Sequence, residues 1–123
     1  MTNGADAGSD LTWHDIWIAI PAYQEAATIR SVAEAALAIC HNVVVVDDGS
    51  TDGTVLALDG LPLALLSHAQ NRGKAASLRT AFAHALTQGA AGLITLDGDG
   101  QHDPLDAPLL LAAWRRQPDR ILI

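Results

Sequence analysis

The chain alternates between short apolar runs and longer stretches whose apolar positions recur every three or four residues. The first run, IWIAIP (Ile16 to Pro21), is rich in β-branched residues and closed by proline, which predicts a buried strand. In AYQEAATIRSVAEAALAI, the residues Ile29, Val32, Ala33, Ala36 and Leu37 share one helical face, with Thr28 as candidate N-cap. Four consecutive valines then lead into the turn-rich DDGSTDGT, and such a run suits a strand covered on both faces. TVLALDG predicts one or two helical turns, and LALLSH (Leu63 to His68) another strand. NRGKAASLRTAFAHALTQG predicts a helix that carries Leu78, Ala81, Phe82, Ala85 and Leu86 on one face, with Gly89 at its C-terminal end. GLITLD is the fourth strand. DPLDAPLLLAAWRR predicts a helix opened by Asp103 and Pro104, and RILI the opening of a further strand. Strand and helix alternate throughout, so the expected fold class is α/β. It is a Rossmann-like layered sandwich with a mainly parallel sheet and right-handed crossovers. The sequence ends within a predicted strand, so the fold is expected to be incomplete.

Composition narrows the partners. The chain has 123 residues and a formal net charge of −7, room for one core and an acidic surface. Such a surface repels nucleic acid and anionic lipid, and neither is an expected partner. A bound cation reverses the local field, so an anionic small molecule stays compatible. Cys40 is the only cysteine, which rules out an internal disulfide and a cysteine metal cluster. No apolar run has the length to span a bilayer. Residues 1–14 read as a disordered tail, without the features of a signal peptide. The expected location is the cytoplasm, including the cytoplasmic face of a membrane.

In an open α/β sheet, ligands bind beyond the carboxyl ends of the strands. Three polar segments follow strands here: PAYQE, DDGSTDGT and DGDGQHD. In the last, Asp97, Asp99 and Gln101 alternate, so an extended segment turns all three to one side. Their oxygens suit Mg²⁺ or Mn²⁺, and a divalent ion relieves the repulsion between the two acids while holding phosphate oxygens. Gly98 and Gly100 leave space for a bulky ligand beside the backbone. The competing reading is a polar turn capped by Asp103. Asp47 and Asp48 either start a turn at Gly49 or accept hydrogen bonds from a base or ribose; two adjacent acids exceed what the turn needs. Gly49, Ser50, Thr51 and Gly53 read as turn and cap residues. Lys74, with Asn71, Arg72 and Gly73, precedes a helix and is as compatible with a solvated turn as with phosphate contact. His68 stands where a Walker loop needs its first glycine, so this is not a P-loop. His14, His41, His68 and His84 show no ligand spacing and read mainly as surface residues.

IPAYQEAATI, VVVVDDGSTDGT, NRGKAASLRTAF and LDGDGQHDP, in that order, resemble the N-terminal half of a family 2 glycosyltransferase of the GT-A fold. The resemblance is to the branch of dolichol-phosphate mannosyltransferases and bacterial polyprenyl-phosphate glycosyltransferases, and it runs from about Ile16 to the end of the sequence. It implies that residues 15–123 are the nucleotide-sugar-binding part of a GT-A domain. Pro21, Ala22, Tyr23 and Glu25 would line the nucleotide pocket, and Asp48 or Asp47 would meet the base or ribose. Asp97 and Asp99 would hold Mg²⁺ or Mn²⁺ against the donor diphosphate, with Gly98 beside it and Gln101 close to metal or phosphate. The family usually has Asn where this chain has Gln24. No residue matches the family's catalytic base, which the resemblance places beyond Ile123.

The function implied is metal-dependent transfer of a hexose from a GDP- or UDP-linked sugar to a lipid or polyprenyl-phosphate acceptor. The alternatives are a non-catalytic nucleotide-sugar-binding module and, ranked lower, a nucleotidyltransferase. The incomplete sheet adds an expectation of self-association through the edge strand RILI.

Overall fold

The computed structural model describes residues 15–99. The tail 1–14, Gln101, the helix expected after Asp103 and the strand RILI lie outside them. The elements are β1 (Ile16–Ala22), α1 (Ile29–Ile39), β2 (Val43–Asp47), α2 (Thr54–Ala57), β3 (Ala64–Ser67), α3 (Lys74–Thr87) and β4 (Gly92–Thr95). The four strands form one parallel sheet in the order β3-β2-β1-β4. Across these residues the alternation expected from the sequence is borne out element by element. Among the described residues no helix is long and apolar enough to cross a membrane.

Two apolar clusters sandwich the sheet. On one face Ile29, Val32, Ala33 and Ala36 of α1 pack on Ile18, Ile20, Val43 and Val45. On the other, Ala81 and Ala85 of α3 pack on Ala19, Val44, Val46 and Leu93. The valine run is buried on both sides, 0–1% exposed, because its alternate side chains serve the two clusters.

One expectation about the core is corrected. Of the expected face Ala81 and Ala85 are buried, together with Ser77. Leu78 and Phe82 are half-buried and Leu86 is 57% exposed. Small side chains let the helix axis approach the sheet closely; Phe82 packs at the margin of that cluster and Leu86 is turned outward. With Leu78 and Leu93 they line an open apolar groove of about 400 Å³ beside β4. Gly89 takes a positive φ of 80° just after the helix, as its placement at the C-terminal end requires.

The parallel ladders run one residue past the strands. The Asp48 amide donates to Ala22 O at 2.8 Å, and the His68 amide donates to Asp47 O at 2.8 Å. Leu96 N donates to Ala19 O at 2.9 Å. These bonds bring Asp48, His68 and Asp97 to the same edge of the sheet.

Candidate functional site: a cleft at the carboxyl edge

A cleft of about 360 Å³ opens at that edge. Pro21, Ala22, Tyr23 and Glu25 after β1 form one wall, and Asp97, Gly98 and Asp99 after β4 form a second. Asp48 and the start of α3, with Asn71, Gly73, Lys74 and Ser77, complete it. The fold thus brings together Pro21, Ala22, Tyr23, Glu25, Asp48, Lys74, Asp97, Gly98 and Asp99 as expected. Asp47 does not line the cleft; its Oδ1 accepts the Ser50 amide at 3.4 Å, a turn contact. Gln101 lies outside the described residues.

Gly98 is pressed into the wall. A Cβ there would stand 3.1 Å from Pro21 O and Ile29 Cδ1 and 3.3 Å from the Ala22 Cβ. Its carbonyl accepts the Thr28 hydroxyl at 2.7 Å. Thr28 precedes α1, as an N-cap would, but its side chain makes no capping bond and ties α1 to the β4 loop instead.

The charges in the cleft are unevenly matched. Lys74 Nζ lies 2.7 Å from Asp97 Oδ1. Burial pushes the Glu25 carboxyl above its ordinary range, and the charges of Asp99, Asp52 and Asp97 push the same way against the Thr28 hydroxyl. Several carboxyl groups around one cationic side chain are a donor set for a hard divalent cation. Asp97 and Asp99 would hold it at the cleft wall. Among the described residues no three acidic, histidine or cysteine side chains are already grouped as a metal site, so further donors would come from a ligand or from elsewhere in the chain.

The acids after β2 are bound differently. Asp48 is 3% exposed. Its Oδ1 accepts from His68 Nδ1 at 2.7 Å and from the Arg72 amide at 2.9 Å, and its Oδ2 accepts the Gly73 amide at 2.8 Å. Burial opposes its ionisation, but the His68 bond, the two amides and the His68 charge outweigh it and hold the carboxyl below its ordinary value. Gly49 has a φ of 77°, and a Cβ there would stand 2.6 Å from Asn71 N and Gln70 C. Only glycine lets the two loops approach so closely.

Two parts of the arrangement are corrections. His68 is buried, its side chain 7% exposed, and is not a surface residue. Ser50 and Thr51 do not cap α2. Ser50 Oγ accepts the Gln24 amide at 2.9 Å, and Thr51 Oγ1 accepts Gln24 Nε2 at 3.0 Å. Gln24 Oε1 in turn accepts the amides of Thr51 at 2.7 Å and Asp52 at 3.1 Å. At the start of α2 it is Asp52 that accepts the Thr54 amide, at 3.0 Å. His68 stands beside Asp48 because the β2–β3 register pairs Asp47 with Ser67.

The profile described as "Glycosyl transferase family 2" matches residues 17–123. The chain belongs to this family. Among relatives, it is 32% identical over 104 residues to the polyprenol monophosphomannose synthase of Mycolicibacterium smegmatis, covering 78% of this chain and 39% of that protein. It is 30% identical over 109 residues to the UDP-N-acetylglucosamine–dolichyl-phosphate N-acetylglucosaminyltransferase of Methanococcus voltae, covering 74% and 43%. Among solved structures, glucosyl-3-phosphoglycerate synthase from Mycobacterium tuberculosis with UDP superposes with a TM-score of 0.70 at 26% identity, over 90% of this chain and 42% of that one. The same synthase has also been crystallised with UDP and Mn²⁺ or Mg²⁺. This family 2 chain therefore spans about two-fifths of the length of these relatives.

Proposed function

We propose that this chain is the donor-binding part of a glycosyltransferase that moves a sugar from a nucleotide diphosphate to a polyprenyl-phosphate acceptor. The observation that carries the reading is the cleft itself: Asp97 and Asp99 border it together with Lys74 and Glu25, and Gly98 lets their loop pack closely against Pro21 and Ala22. The related synthase that holds UDP favours uridine over guanosine in the donor, and the two polyprenol-linked relatives favour a lipid phosphate acceptor.

Each wall has a distinct part. Tyr23, 46% exposed, offers a ring at the cleft mouth for stacking on a base. Asp48 Oδ2 accepts the Gly73 amide, and a carboxylate oxygen has room for a second donor, so it retains acceptor capacity toward a ribose or base. Lys74 provides a mobile positive charge for a phosphate once Asp97 and Asp99 turn to Mg²⁺ or Mn²⁺. A divalent cation, when bound, neutralises the diphosphate leaving group.

Calorimetry with UDP and with GDP, each with Mn²⁺ and with chelator, tests the reading. Binding of UDP that depends on the metal is expected; equal affinity with and without chelator would remove the metal from the account.

A further inference from the structure

His68 does not line the cleft, yet it is bonded to what shapes it. Both ring nitrogens are engaged: Nδ1 lies 2.7 Å from Asp48 Oδ1, and Nε2 lies 2.8 Å from Thr80 Oγ1 on α3. An ionised carboxylate only accepts, so Nδ1 carries the proton, and in the neutral ring Nε2 accepts the Thr80 hydroxyl proton. Asp48 then uses its oxygens on the amides of Arg72 and Gly73, at 2.9 and 2.8 Å. These are the two amides before Lys74, the first residue of α3, whose Nζ reaches Asp97 at 2.7 Å.

The segment so held needs holding. Gly73 has a φ of 98°, and the backbone of Gln70 and Asn71 lies against Gly49 where a Cβ would stand 2.6 Å away. A carboxylate can swivel about its last torsion. A rigid ring pinned at both ends, on the acid after β2 and on α3, removes that freedom.

We propose that His68 is a positioning residue of the cleft: clamped between Asp48 and Thr80, it fixes the plane of the Asp48 carboxylate and, through the Arg72 and Gly73 amides, sets where α3 starts and where Lys74 meets the Asp97–Asp99 pair. The binding readout of this proposal rests on the nucleotide reading above; the structural readout does not.

The test compares wild type, His68→Ala, His68→Asn and Thr80→Val by amide hydrogen exchange and by calorimetry with UDP and Mn²⁺. Asn places its amide nitrogen where the ring has Nδ1, so it keeps the Asp48 bond and loses the Thr80 bond. In His68→Ala, exchange at Arg72 and Gly73 is expected to speed up about tenfold relative to β1, and UDP affinity to fall about tenfold. His68→Asn is expected to restore most of both, and Thr80→Val to change each about twofold. Unchanged exchange at Arg72 and Gly73 in His68→Ala overturns the proposal, as does an Asn variant as impaired as the Ala variant. Wild type that binds no UDP sinks the nucleotide reading alone, because the exchange data still decide the role of His68. Should His68→Ala not fold, His68→Gln replaces it: its amide reaches towards Thr80 and not Asp48, so faster exchange than in His68→Asn is expected, and equal exchange in the two overturns the proposal.

Discussion

The acids that follow β2 and the acids that follow β4 stand on either side of β1, at the same edge of the sheet. Asp47 and Asp48 are 4% and 3% exposed and are bonded to backbone amides and an imidazole. Asp97 and Asp99 border the open cleft, where Asp97 meets a flexible lysine and Asp99 helps push the Glu25 carboxyl up. The same residue type in a similar strand-end position thus does opposite work. A carboxylate whose oxygens are met by fixed donors organises the backbone. A carboxylate with a replaceable partner is ready for a ligand.

The sharpest way to break this contrast is to remove the cleft pair. Asp97→Ala and Asp99→Ala should each lower Mn²⁺-dependent UDP affinity about 100-fold, near 3 kcal/mol, since the ion loses a charged ligand. In Asp97→Ala stability should move by less than about 1 kcal/mol, because the lost Lys74 contact is a half-exposed ion pair. Calorimetry and urea unfolding on the same samples separate the two effects. A large loss of stability would make this pair structural as well.

Asp48→Ala should show the reverse balance. It strips an acceptor from His68 Nδ1 and from two amides, and should cost about 2–4 kcal/mol of folding stability, read from the urea midpoint. A change under about 1 kcal/mol would remove the structural role given to the bonds of Asp48 with His68 and the Arg72 and Gly73 amides. The lowered pKa of Asp48 adds a pH signature. A carboxyl whose folded pKa lies below its unfolded value, about 3.9, contributes stability that is complete above that value and is lost as pH falls through the folded one. Wild type should therefore lose stability below about pH 4 more steeply than Asp48→Asn.

The same contrast explains what the chain discloses before its structure is known. Strands and helices are legible because their signal is local: the β-branched runs, the apolar spacing of α1, the glycine after α3. The cleft is legible as far as it follows from strand ends, which is why Tyr23, Asp48 and Asp97 are expected together, while Lys74, at a helix start, is open to either reading. Three features are not. The burial of Ser77 and the exposure of Leu86 on α3 escape a reading by apolar spacing, because size is not depth: Leu86 is larger than Ala85, but only the small residue fits against the sheet. The role of His68 depends on the register between β2 and β3, a pairing that no local pattern records. The bridge from Gln24 to Ser50, Thr51 and Asp52 joins residues 26–28 apart in sequence, so the turn motif gives no sign of its partner.

That bridge sets the smallest expected effect. Gln24 is the residue other than glycine with a positive φ among those described, 54°, a conformation that costs a side-chain-bearing residue about 1 kcal/mol. Its side chain offsets the strain through bonds to the Thr51 and Asp52 amides and the Thr51 hydroxyl. Gln24→Gly relieves the strain and removes all three, and should destabilise by about 1–2 kcal/mol net. Gln24→Asn tolerates the positive φ better but is one methylene shorter. The two changes oppose each other, so its net effect should stay under about 1 kcal/mol. Urea midpoints of the two variants measure the balance. If Gln24→Gly matched wild type, the bridge would add nothing beyond relieving its own strain, and the loop after β1 would be held by the amides of residue 24 on Ser50 Oγ, Glu25 on Thr54 Oγ1 and Ala26 on Asp52 Oδ2.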